Sequence, residues 1–299
     1  PQVDIFVTQP GKIPYRITAI TKAFNGDLIA VADYRHSGAD IGMAPYGRID
    51  LHARISKDNG ATWEAMFPIV EGQGKQSPDF MHVGFGDPCI VADRESSRVL
   101  VLSCAGNVSF PSGTNSNHQN IARFYSDDNG QKWTDPVDIA PQFYSALDKG
   151  ACGPVMAMFI GSGKIVQCYT TKVGEYYRLY CAVLCKDKNA NYANWVFYSD
   201  DFGGNWNVLG GADVPPVTSG GDEPKVEELP DGSILLSSRI HGGRFYNIYN
   251  FTDTKTAAGS WGTAVSSNAN NSGVVAVNNS PNGEGMCLPV TRKADGKDM

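Results

Sequence analysis

Ser56-Lys57-Asp58-Asn59-Gly60-Ala61-Thr62-Trp63 returns as Ser126-Asp127-Asp128-Asn129-Gly130-Gln131-Lys132-Trp133, and again as Ser199-Asp200-Asp201-Phe202-Gly203-Gly204-Asn205-Trp206. All three read S-x-D-x-G-x-x-W, and their serines lie 70 and then 73 positions apart. Self-similarity at a fixed period marks an array of like units. The pattern has a mechanical reading. The Asp carboxylate can accept backbone N–H groups and hold a tight turn. The Gly takes a positive φ at little cost. The Trp is expected to return the chain to the core, where its burial contributes about 2–3 kcal/mol. Each copy is therefore read as a hairpin staple rather than a ligand loop. A calcium loop is disfavoured because no Glu follows at EF-hand spacing. A degenerate fourth copy, stretched by insertion, is a candidate over 252–261.

The flanks of these copies read as strands. Ile49, Leu51, Ala53 and Ile55 alternate with Asp50, His52 and Arg54 ahead of the first copy, the period of a strand with two unlike faces. Segments 121–125 and 195–198 lead into the other two, and further strands are expected over 99–103, 164–170, 179–184, 233–238 and 245–251. No long amphipathic helix pattern is visible. Many short strands between spaced turns predict an all-β radial array, a β-propeller.

Composition agrees with a folded chain of this kind. Of 299 residues, 41% are hydrophobic, with 33 glycines and 17 prolines to serve many turns. The net charge is −6 and no basic run stands out, so nucleic acid is not expected as a partner. Apolar runs such as 99–102 are far too short to span a bilayer. Pro1 opens the sequence and no signal peptide is visible, which leaves room for a leader already removed. The seven cysteines are odd in number and include no C-x-x-C pair, so buried free thiols are expected and a zinc site is not. Cys181 and Cys185 should face the same side of one strand.

The remaining motifs carry chemistry. The three repeats are the Asp box, found in sialidases and in some unrelated propellers. Ile13-Pro14-Tyr15-Arg16-Ile17-Thr18 resembles the sialidase F/Y-R-I-P motif, with Thr18 where the family has Pro. Asp33-Tyr34-Arg35-His36-Ser37-Gly38-Ala39-Asp40 resembles the segment holding a second pocket arginine and the acid/base aspartate. Gly86-Asp87-Pro88 resembles the D-P segment. Asp222-Glu223-Pro224-Lys225-Val226-Glu227-Glu228-Leu229, leading to Ser237-Ser238-Arg239, resembles the E-x-x-V-x-E-L…S-R strand pair. Taken in this order, these motifs identify the chain as similar to bacterial-type exo-α-sialidases across 13–251.

The resemblance implies a six-bladed β-propeller over 1–299, incomplete in this chain, because about four repeats of this length fit the sequence. It implies a glycoside hydrolase that removes terminal sialic acid from glycans, glycoproteins or glycolipids with retention at the anomeric carbon. Arg16 and Arg239 would bind the substrate carboxylate, since a planar guanidinium offers paired donors to it. Arg35 and Asp87 would meet polar substituents around C4. Asp40 would protonate the leaving oxygen and later activate water. Glu223 would take the proton of a tyrosine nucleophile, the group sialidases use, because a phenol of pKa near 10 needs a base.

Neither the third carboxylate arginine nor that tyrosine is found. Tyr249 and Arg244 lie too near Arg239, and Arg292 reads as part of a turn lead, so both groups are expected beyond this chain or on a second one. No cofactor and no metal are implied. Asp33 and Asp50 compete with Asp40 for the acid role but sit nearer strand-like stretches, and the five histidines form no metal or triad spacing. Two other readings stay open, a non-hydrolytic sialic-acid-binding propeller and a trans-sialidase. Relatives that meet host glycans are usually exported, so a secreted or periplasmic location is expected. Thiols without evident partners pull mildly the other way.

Overall fold

The computed structural model describes residues 3–43, 47–217, 220–240 and 243–266. Nearly all of the regular structure is antiparallel sheet. The first sheet is a meander of β1 (Tyr15–Lys22), β2 (Leu28–Arg35), β3 (Ile49–Ser56) and β4 (Phe67–Val70). The second runs β5 (Phe85–Ala92), β6 (Val99–Ala105), β7 (Asn120–Ser126) and β8 (Val137–Asp138). After it come β9 (Ala157–Ile160), which joins the third sheet, and β10 (Gly163–Lys164), which lies parallel beside β5. The third sheet is β11 (Val166–Val173), β12 (Tyr176–Lys186), β13 (Tyr192–Ser199) and β14 (Asn207–Val208). The fourth is β15 (Asp222–Glu228), β16 (Ile234–Ile240), β17 (Gly243–Asp253) and β18 (Ala258–Trp261), with β19 (Val265–Ser266) on β17.

Strand alternation sorts the side chains into three cores, one between each pair of consecutive sheets. On β6, Val99 and Val101 face the first sheet's Ile29, Val31, Leu51 and Ile55. Leu100, Leu102 and Cys104 face the other way, onto Leu179, Cys181, Val183 and Cys185 of β12. Tyr180 and Ala182 of β12 in turn meet Val226, Ile234, Leu236 and Tyr249 of the fourth sheet. Strands buried on both faces read as near-continuous apolar runs, which is what 99–102 is. The same-face placement of Cys181 and Cys185 is as expected. The six described cysteines are buried, and Cys287 lies outside the described residues.

The three boxes superimpose bond for bond. Ser56 Oγ donates to Asp58 at 2.8 Å and accepts from Gly60 N at 2.8 Å, while Thr62 N donates to Asp58 at 2.8 Å. Ser126, Asp128, Gly130 and Lys132 repeat those distances, as do Ser199, Asp201, Gly203 and Asn205. Ahead of each positive-φ glycine a second left-handed residue stands, Asn59, Asn129 or Phe202, at φ 58, 58 and 56°. Asn tolerates that region; Phe202 does so because its ring is fully buried in the core. Core burial of the tryptophan holds for Trp206 at 5% exposure, whereas Trp63 and Trp133 are only half-buried. The fourth turn keeps Asp253, which accepts from Lys255 N at 2.9 Å, and Trp261, which donates to Leu209 O at 3.1 Å, but Phe251 stands two residues before the aspartate, where the boxes have serine.

Two features lie outside the expected pattern. A two-turn helix, α1 (Ala140–Leu147), buries Phe143, Tyr144 and Leu147 against the third sheet's Phe197 and Trp206. The polar face of β3 is also buried, with Asp50 at 2% and His52 at 6% exposure, because the N-terminal segment crosses it. Arg54 donates to Ile5 O at 2.6 Å, and Tyr15 Oη meets His52 Nδ1 at 2.8 Å. Among the described residues no helix is long and apolar enough to cross a membrane.

Candidate active site

The first strands of the first, second and fourth sheets each lose register at the same end. In β1 the break falls between Arg16 and Ala19, in β5 between Gly86 and Cys89, and in β15 between Asp222 and Pro224. A bulge leaves an extra residue unpaired and re-aims its side chain. The re-aimed residues are Ile17, Asp87 and Glu223, and all three line one cleft of about 350 Å³. Ile17 and Asp87 are left-handed, at φ 48 and 55°. For a β-branched residue that region costs on the order of 1–3 kcal/mol, so the packing around the cleft holds Ile17 in a conformation it would not choose.

Arg16, Arg35, Asp40, Asp87, Glu223 and Arg239 all line this cleft. Arg35 is its most enclosed member, 1% exposed. Its guanidinium donates to Asp33 Oδ2 through Nε at 3.1 Å and Nη2 at 2.8 Å, to Asp87 at 3.1 Å, and to Asp40. Burial works against its charge, but the bond to Asp33 and the charges of Asp87, Asp33 and Asp40 hold it firmly protonated. Burial pushes the Asp87 carboxyl up, opposed by Arg35 and reinforced by Asp33, Asp40 and Glu223. Burial also raises Asp33, against the same arginine.

Asp40 follows β2 on the loop at the mouth and is 59% exposed, with Arg16 Nη1 3.5 Å away. Arg239, from the end of β16, donates to Glu223 Oε2 at 2.6 Å. Next to them Arg244 donates through Nε to Ser237 Oγ at 2.5 Å and through Nη2 to Ser237 O at 2.8 Å and Glu223 O at 3.4 Å, and it does not line the cleft. Phe110, Pro111, Phe159 and Leu184 give the cleft an apolar share of its wall.

The competing carboxylates are elsewhere engaged. Asp33 lies behind Arg35 at 0% exposure. Asp50 is on the far face of β3, held by His36 at 2.7 Å and Arg48 at 3.0 Å. His52 Nε2 lies 3.9 Å from the same aspartate, a meeting of two histidines that their spacing does not reveal. Tyr249 is a core strut whose hydroxyl donates to Ala257 O at 2.9 Å; Arg292 lies outside the described residues. Asp222, Ile17 and Gln119 also line the cleft without having been singled out in sequence. Asp222 adjoins Glu223, whereas nothing local marks Gln119. Among the described residues no group of three or more His, Cys, Asp or Glu is placed to hold a metal ion.

Residues 19–297 match the BNR repeat-like domain family, and the chain belongs to it. A sialidase from Paraclostridium sordellii is 28% identical over 239 residues, covering 79% of this chain and 54% of that protein. The chain therefore spans about half the length of that relative. Among solved structures, a Hadza microbial sialidase superimposes with a TM-score of 0.65 at 22% identity, over 84% of this chain and 46% of the other. The intramolecular trans-sialidase from Ruminococcus gnavus, solved with oseltamivir carboxylate, gives a TM-score of 0.64 at 16% identity, over 85% and 71%. The four consecutive sheets are thus those of a sialidase-like β-propeller.

Proposed function

We propose that this chain is the larger part of the catalytic propeller of an exo-α-sialidase, a retaining glycoside hydrolase acting on terminal sialic acid of glycans, glycoproteins or glycolipids. The observation that carries this reading is the meeting of Arg16 and Arg239, from the first and fourth sheets, in one cleft with Asp40 and Glu223. Two guanidinium groups beside two carboxylates suit a substrate whose carboxylate sits on the carbon being attacked.

In this reading the incoming carboxylate takes Arg16 and Arg239. Asp40 is then released from Arg16 toward the glycosidic oxygen, which it protonates; afterwards it draws the proton from the attacking water. Glu223 accepts the proton of the tyrosine that attacks the anomeric carbon. A phenol is used there because a second carboxylate would repel the substrate's own. That tyrosine and a third carboxylate-binding arginine come from outside the described residues. Arg35 and Asp87 hold polar groups around C4, and the apolar wall takes an uncharged substituent of the same sugar.

The complete propeller has six blades in this reading. The four sheets seen here are joined by further sequence or by a second chain, and the enzyme is secreted or periplasmic. Transfer to a sugar acceptor uses the same groups and is the second reading. The test is release of a fluorophore from a sialoside by the full-length protein, with lactose present and absent. Turnover that Arg16→Ala abolishes and that Asp40→Ala lowers supports the assignment, and sialyllactose formation selects transfer. Binding of sialic acid without any turnover would make the protein a lectin; neither binding nor turnover ends the proposal.

A further inference from the structure

Arg35 and Asp87 come from different sheets, 52 residues apart, yet both are held by one oxygen. Asp33 Oδ2 accepts Arg35 Nε at 3.1 Å and Nη2 at 2.8 Å, and it also accepts the backbone N–H of Asp87 at 3.1 Å. Asp33 is 0% exposed and does not itself line the cleft. Its other oxygen, Oδ1, is buried without a hydrogen-bond partner. A carboxylate that meets only half of its acceptor capacity in the interior is costly, so its retention needs a reason that packing does not supply. The Asp87 amide it receives belongs to the left-handed residue of the β5 bulge, at φ 55°. Asp33 therefore fixes the plane of the Arg35 guanidinium and the strained backbone turn that aims Asp87.

We propose that Asp33 is a positioning residue that sets Arg35 and Asp87 as one unit, and through them the recognition of the polar substituents near C4 of the substrate. The part concerning substrate rests on the sialidase reading above; the part concerning Arg35 and Asp87 does not. Removing the charge lets the guanidinium turn and the bulge relax, so affinity for the ring substituent is lost, while Asp40 keeps its contact to Arg16 and Glu223 its bond from Arg239.

The test compares the full-length parent with Asp33→Asn on a fluorogenic sialoside and on its 4-deoxy analogue. KM for the intact sugar should rise about ten-fold or more with kcat within about three-fold, and the preference for the intact sugar over the analogue should vanish. Equal losses on both substrates, or no loss, overturn the proposal. A parent that turns over neither substrate defeats the sialidase reading instead. In that case ¹⁵N NMR of the Arg35 Nε–H and the Asp87 amide decides: both should move in Asp33→Asn, and unmoved signals overturn the positioning role by themselves. Should Asp33→Asn fail to fold, Asp33→Glu takes its place, and slow exchange of the parent's Arg35 Nε–H is the expected signature. Fast exchange there overturns the proposal.

Discussion

Arg239 Nη1 donates to Glu223 Oε2 at 2.6 Å, across a register break in which Asp222, not Glu223, is the strand partner of Arg239. In the proposed reading, the guanidinium that meets the substrate carboxylate is already oriented by a carboxylate of the protein. Glu223→Gln keeps the shape and a carbonyl acceptor but removes the base. Turnover of a sialoside by the full-length protein should fall about a hundred-fold or more, with affinity for a sialic acid analogue changed far less. Steady-state rates beside calorimetric titration give both numbers.

Asp40 has a separable signature. A general acid matters most when the leaving group is poor. Asp40→Ala should therefore cost about 10²–10⁴ in kcat/KM on an alkyl glycoside such as sialyllactose. A sialoside with an acidic phenol as leaving group should lose markedly less. Equal losses on the two substrates remove Asp40 from the acid role.

The buried Asp87 makes stability depend on pH. Its carboxyl is raised from an ordinary value of 3.8 to about 7 by burial, so the folded protein holds a proton that the unfolded chain releases. The stability this contributes is fully present below about pH 4 and is lost as pH rises through about 7. Asp87→Asn, which cannot ionise, should melt at or above the parent temperature at pH 7.5. That advantage should disappear by pH 4, which thermal denaturation at the two pH values tests.

The boxes can be probed by a single methyl. A Cβ on Gly130 would stand 2.6 Å from Ile29 Cδ1 of the first sheet, on a backbone at φ +86°. Clash and left-handed strain together make Gly130→Ala destabilising by about 2–3 kcal/mol. The expected loss is about 4–10 °C in melting temperature. Gly174→Ala, at φ +62° with open space around it, isolates the backbone share and should cost clearly less.

Much of this arrangement was readable without coordinates. The boxes announced the repeating sheets because their turn chemistry is local, contained within eight residues. Arg16, Arg35, Asp40, Asp87, Glu223 and Arg239 could be picked out because each sits in a short motif, and all six line the cleft. What escaped was whatever depends on a partner far along the chain. The bridging role of Asp33 exists only when β5 lies beside β2. Nothing near Gln119 says that it will reach the cleft. The half-exposure of Trp63 and Trp133 against the burial of Trp206 reflects α1, which packs Phe143 onto Trp206 alone. That helix is two turns long with Pro141 at its start, too short for a period to show.

The glycines of the second and third boxes close on side chains of the sheet before them, Gly130 on Ile29 of the first and Gly203 on Leu100 of the second, while Gly60 meets Leu28 of its own sheet. The second and third sheets are thus seated on a predecessor already complete in the chain behind them. A ribosome delivers the seat before the sheet that needs it. Assembly of the second and third sheets can proceed from the amino end as each unit emerges onto an apolar face already made.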